Sequence, residues 1–335
     1  MIDVSAVSAW WTKCPPATGA AVMATGIVSV GLHLAGAETL SLIVLVLACV
    51  TWVALAAVFV VRLAGHRRRW AAEARSLGAL TAVAATTVLG TQLSVLGRQT
   101  LAEALLALAA LLWPVLLVLV VRHWEASRMP GAVFLCCVAT QGLSVLAATL
   151  AAVQTTAWLA RAALALFWLG LVLYGLALTR FDHRQVVEGA GDHWIAGGAL
   201  AISALAGAKL LSADSARLYL WNDDGHGVLR TLTLALVTLD LAWCVVLVVA
   251  EVTHPRPRYD LRRWATVFPL GMTAAAMLSV ADALGVDWLK GPGRVLVWVS
   301  VAAWLAAAAG AVLSARTGTD GEGTGTPGVT SRARR

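Results

Sequence analysis

Residues 39–96 read TLSLIVLVLACVTWVALAAVFVVRLAGHRRRWAAEARSLGALTAVAATTVLGTQLSVL. Three textures follow one another in this stretch. Residues 39–63 are almost wholly Leu, Val and Ala, with a single charge, Arg62, at the far end. About 20 such residues suffice for a helix to cross the hydrocarbon core of a bilayer. Residues 62–75 then gather five arginines, Arg62, Arg67, Arg68, Arg69 and Arg75. Residues 76–96 are uncharged and long enough to cross again, but they are built from Thr, Ser, Gln, Gly and Ala. The chain therefore crosses, turns on a basic loop and re-crosses, and the two crossings differ in character.

The whole chain extends this pattern. Of 335 residues 60% are hydrophobic and 13% charged, and mean hydropathy is +0.81. Soluble domains carry about 25% charged residues. A soluble enzyme and a disordered chain are both excluded, and no stretch remains for a soluble catalytic domain. Apolar runs predict ten spans, at 16–34, 39–63, 76–96, 101–121, 130–152, 156–178, 192–212, 229–251, 264–284 and 293–313. The expected organisation is an N-terminal segment 1–15, a ten-helix membrane domain 16–314 and a tail 315–335. That tail is Gly/Thr-rich, ends in arginines and cannot bury a core, so it reads as disordered. Ala35-Gly36-Ala37 after the first span mimics a cleavage site, but Pro15, Pro16, Gly19 and Gly26 and the apolar run that follows argue for a retained helix.

Charge placement predicts orientation. One set of alternate gaps, with the termini, holds 18 of the 25 basic residues, among them the arginines of 62–75, Arg122, Arg128, Arg180, Arg184, and the group Arg256, Arg258, Arg262 and Arg263. The other set holds six: Arg98, Lys209, Arg217, Arg230, Lys290 and Arg294. Short loops rich in Arg and Lys stay cytoplasmic. Both termini are thus expected in the cytoplasm, which requires an even number of spans. The net charge of +7 becomes an orientation signal, and nucleic-acid binding is not expected. Heavy use of Ala, Val, Leu, Arg and Trp with little Lys suggests a GC-rich bacterial genome, hence an inner (plasma) membrane. Trp10, Trp11, Trp70, Trp124, Trp158, Trp194, Trp264 and Trp288 fall near span ends, as an interfacial belt would.

The difference between the two crossings recurs. Odd spans hold 14 Gly and Pro residues and even spans five. Hydroxyl and amide residues follow the same alternation, and Thr25, Gly26, Thr87, Gln92, Gln141 and Ser203 are the candidates to line a path. Helix breakers and small polar residues are tolerated at membrane depth where helices pack closely or enclose a wet cavity. The pattern fits an inner ring of odd helices shielded by even ones, as five helical hairpins around a centre. It also fits close packing with no conduit.

Asp240, midway along the eighth span, is the clearest anomaly, because an ionisable residue there is costly and often functional. Arg161 in the sixth span is its candidate partner, and the pair reads as structural or as a charge relay. Lys209, Asp282 and His33 lie near outer span ends, where side chains snorkel. The histidines show no metal or haem spacing, Cys14, Cys49, Cys136, Cys137 and Cys244 form no C-x-x-C pair, and there is no phosphate-binding loop. No cofactor or metal site is expected, and the chain does not read as an enzyme. An intramembrane enzyme or electron carrier remains the rival of another class.

Three segments carry a family resemblance. PATGAAVMATG at 16–26, GDHWIAGGALAISALA at 191–206 and RRWATVFPLGM at 262–272 resemble, in order and spacing, helices one, seven and nine of the tellurite-resistance/dicarboxylate transporter family. That family takes in bacterial tellurite-resistance permeases, fungal malate and sulfite transporters and plant slow-type anion channels, within the voltage-dependent anion channel superfamily. The resemblance covers roughly residues 10–314. It implies an all-α membrane protein of five hairpins around a quasi-fivefold pore, assembled as a homotrimer, that moves small inorganic or carboxylate anions. It also implies a phenylalanine plug on the ninth helix, here Phe268, followed by Pro269, which frees a backbone carbonyl. Thr266-Val267 before Phe268, with few aromatics nearby, departs from the family pattern. Anion channel or transporter is the expectation, with a proton-coupled dicarboxylate or sulfite exporter as the alternative.

Overall fold

The computed structural model describes residues 18–65, 67–124, 128–188, 191–214, 223–254 and 260–320. Ten long helices follow the ten expected spans: α1 (Gly19–Leu34), α2 (Glu38–Gly65), α3 (Leu80–Val95), α4 (Gln99–Val121), α5 (Leu135–Gln154), α6 (Ala157–Arg180), α7 (Trp194–Ala213), α8 (Asp223–Thr253), α9 (Trp264–Leu284) and α10 (Lys290–Asp320). Among the described residues nine helical segments are long and apolar enough to cross a membrane, and α1, with 16 residues, is the shorter tenth. The expected N-terminal segment 1–15, the start of the first span at Pro16, the loop arginines Arg217, Arg256 and Arg258, and residues 321–335 lie outside the described residues. α10 runs on to Asp320, six residues into the stretch expected as a tail from 315.

Each odd helix packs against the even helix that follows it, giving five hairpins. The odd helices also pack in sequence, α1 on α3, α3 on α5, α5 on α7, α7 on α9 and α9 back on α1, so that five inner helices close a ring. Burial separates the two classes. In the most apolar stretch of α3, α5, α7 and α9, between 78% and 100% of residues are buried, against 17% to 28% in every even helix. The even helices instead present side chains such as Val46, Val61, Leu111, Val172, Val252 and Leu313 to the surroundings, as a lipid-facing shell requires.

Three hairpins turn through a glycine in the left-handed region, Gly36 (φ 85°), Gly97 (φ 77°) and Gly285 (φ 69°); the third hairpin places Thr155 there (φ 51°). Glycine takes this conformation without steric cost, whereas a β-branched residue is strained by it. Close approach inside the ring also depends on missing side chains. A Cβ on Gly142 would stand 2.4 Å from the Thr87 hydroxyl, and one on Gly271 3.0 Å from Ile27.

The tryptophans at span ends divide. Trp158 and Trp288 are exposed, as a belt requires, but Trp194 and Trp264 are buried. They begin α7 and α9, inner helices with little access to lipid.

Candidate functional site

The ring encloses a cavity of about 20 Å³ on its axis. All five inner helices contribute to it: Ile27 and Val30 from α1, Thr87, Val88 and Thr91 from α3, Gly142 and Val145 from α5, Ile202 and Leu205 from α7, and Met272 from α9. None of these side chains is charged. The volume is close to what a single water molecule needs, so the axis is shut to an anion in this conformation. Phe268 lies one turn before Met272 on the same face of α9 and is fully buried. Its ring fits because Gly198 of α7 has no side chain; a Cβ there would be 2.9 Å from the Phe268 Cε1. Pro269 stands inside α9 and cannot donate to the Ala265 carbonyl, which loosens the helix at this turn. The two candidate gate residues do not line the axial cavity; they pack against Gly198 of α7, one turn before the lining residue Met272.

Of the six candidate lining residues the structure brings Thr87 to the cavity and turns most of the others toward neighbouring helices. Gly26 packs against Val88 beside it. Gln92 Nε2 donates to Ser41 Oγ of α2 at 3.1 Å. Gln141 Nε2 donates to the Phe167 carbonyl of α6 at 3.1 Å, in a slot left by Gly170. Ser203 Oγ donates to its own helix at Ala199 and faces Cys137 of α5. Thr25 Oγ1 accepts the indole N–H of Trp304 from α10 at 2.9 Å. At membrane depth a polar group without a partner is costly, so these groups bind helices together.

The Trp304–Thr25 contact is one of a set that sequence reasoning missed. Trp52 of α2 donates to Thr86 of α3, and Trp113 of α4 to Thr140 of α5, each at 2.9 Å. In all three the outer helix of one hairpin binds the inner helix of the next. Tryptophan in mid-span, away from the interface, was the available signal. The corresponding position of α9, one residue before Gly271 as Thr25 is before Gly26, holds Leu270. Trp243 of α8 joins an apolar cluster with Leu247 and Leu270, and its buried indole N–H has no hydrogen-bond partner.

Asp240 occupies that same joint. It is fully buried, and its Oδ1 accepts from Thr273 of α9 at 3.3 Å, while Oδ2 has no hydrogen-bond partner. The expected pairing with Arg161 is not found: Arg161 is exposed near the start of α6, and no ion pair links the two. An aspartate turned inward from an outer helix meets the neighbouring inner helix, out of reach of a cation near the other end of a different hairpin.

At the basic ends of the helices, Arg62 binds Glu73 at 2.9 Å and Arg263 binds Glu251 at 3.0 Å. These two arginines fasten loops to helices, so the basic clusters are partly neutralised. At the opposite ends His33 meets Glu38 at 2.8 Å and Lys290 meets Asp282 at 3.2 Å.

No curated protein matches this sequence. A family model does, over residues 13–312, which take in α1 to α9, most of α10 and the axial cavity. With a five-hairpin ring around an uncharged axis already in view, that match places the chain in the voltage-dependent anion channel family.

Proposed function

We propose that the protein is an inner-membrane channel that passes small anions down their electrochemical gradient along the axis of the inner ring. Both termini face the cytoplasm, and Phe268 with Pro269 forms the gate. The observation that carries this reading is the axial cavity, which all five inner helices line with uncharged residues; Phe268, one turn before the lining residue Met272, fills the space left by Gly198. With no fixed charge on the axis, selectivity rests on diameter and weak potential instead of a tight site. The substrates belong to the halide, sulfite, tellurite or dicarboxylate class, and the channel works as a homotrimer with one path per protomer.

Purified protein in liposomes tests this. Voltage-driven chloride or nitrate flux without a pH gradient is expected, and Phe268→Ala raises it severalfold. Unchanged flux in a well-folded Phe268→Ala protein removes the ring as a gate. A bound chromophore with no flux of any anion defeats the transport reading.

A second reading is favoured by one feature, the buried Asp240 with an unpartnered Oδ2. A carboxyl in that position suits a proton relay in a coupled dicarboxylate or sulfite exporter. Under this reading flux needs a pH gradient, and Asp240→Asn abolishes that need. If the variant lowers only the yield of folded protein, Asp240 is structural.

A further inference from the structure

A second and larger cavity, of about 260 Å³, lies off the axis in the groove between α2 and α4. Trp52, Leu55 and Phe59 form one wall, Leu112 and Leu116 the other, and Ala85 of α3 lies between them. The neighbouring side chains Val60 and Leu111 are 60% and 72% exposed, so the medium at its opening is hydrocarbon. An apolar cavity of about 150 Å³ stays dry and takes up benzene; this one is larger and stands open to acyl chains.

Its basic end differs. The short helix Arg67–Ala74 covers it, contributing Trp70, Glu73 and Ala74 to the lining. The Trp70 ring meets Phe59 edge-on at 5.7 Å, and its buried indole N–H has no hydrogen-bond partner. Arg62 and Glu73 pair at the same end. Over residues 62–75 the sequence carries five arginines and one acid. Basic clusters of this size beside a membrane helix attract anionic lipid head groups.

We propose that this groove is a lipid site, which takes one acyl chain of an anionic phospholipid between α2 and α4 with its head group at the arginine cluster. The chain lies against Val22 of α1 and Ala82 of α3 and so ties the first two hairpins together at their basic ends. Orientation does not enter: the lipid comes from whichever leaflet the arginines face.

The test is native mass spectrometry of delipidated protein titrated with phosphatidylglycerol or with phosphatidylcholine of the same chains. Expected is one tightly retained phosphatidylglycerol per protomer, its loss in Ala82→Phe, which fills the groove, and loss of the preference for phosphatidylglycerol in the triple variant Arg67→Gln/Arg68→Gln/Arg69→Gln. Equal retention of the two lipids by the unaltered protein, or undiminished retention by Ala82→Phe, overturns the proposal. If Ala82→Phe does not fold, quenching of tryptophan fluorescence by brominated phosphatidylglycerol replaces it. A saturable component that disappears in Trp70→Phe supports the site, and its absence from the unaltered protein overturns it. Disulfide linkage of two copies through Val60→Cys, with no lipid retained, assigns the groove to a second copy of the chain and also overturns the proposal.

Discussion

Three joints between hairpins are clasped by an indole and a hydroxyl: α10 to α1, α2 to α3 and α4 to α5. The joint from α8 to α9 is built otherwise. There the tryptophan is present but Leu270 stands where a hydroxyl would, and an aspartate, Asp240, reaches a threonine instead. The difference falls on the helix that carries Phe268. Neutral clasps hold those three joints in one protonation state, whereas the joint from α8 to α9 contains an ionisable carboxyl.

The comparison can be broken or sharpened by mutation, in falling order of effect. Replacing Trp52, Trp113 and Trp304 together by Phe removes three interhelical hydrogen bonds at well-separated joints; at about 0.6 kcal/mol each, the loss is about 2 kcal/mol, measured by denaturant unfolding in detergent. Trp243→Phe should go the other way, because it deletes a buried N–H that has no acceptor, and a gain of up to about 1 kcal/mol is expected. A loss as large as that of Trp304→Phe would show that Trp243 finds a partner and that the joints are alike. Leu270→Thr supplies the missing acceptor and should move the joint toward its counterparts by about 0.6 kcal/mol, with anion flux reduced if α9 must move to open the path. Thr155→Gly has the least to do with the joints; relief of the left-handed strain is largely offset by the greater freedom glycine loses on folding, so a net gain of roughly 0.5 kcal/mol is expected, with flux unchanged.

Much of this architecture was legible in the sequence. Length and hydropathy located the spans, and the contrast between TLSLIVLVLACV and LTAVAATTVLG separated outer from inner helices. The direction of each polar side chain was not legible. An inner helix is enclosed on every side, so its apolar residues show no periodic face, and a hydroxyl on it can point to the axis or to a neighbour. Thr87 lines the axial cavity, while Thr25, near the start of α1, accepts from Trp304 of an outer helix. Asp240 was recognisable as an anomaly, but its partner was not, since Thr273 belongs to a class of residue common in every odd span. The clasping tryptophans were visible as mid-span residues; an interfacial role explains Trp158 and leaves Trp52, Trp113 and Trp304 unexplained.

The clasp between Trp304 and Thr25 joins residues 279 positions apart in the chain. The other two clasps span 34 and 27 positions and can form as soon as the next hairpin emerges. Synthesis proceeds from the N-terminus, so α1 waits with one flank unsatisfied until α9 and α10 have been made. Closure of the longest loop, which costs the most chain entropy, is then the last step of assembly. Trp304→Phe should therefore delay acquisition of the folded state more than Trp52→Phe does, although the two remove the same bond. Until that step is complete, the ring is an open arc, and the axis has no fifth wall to seal it.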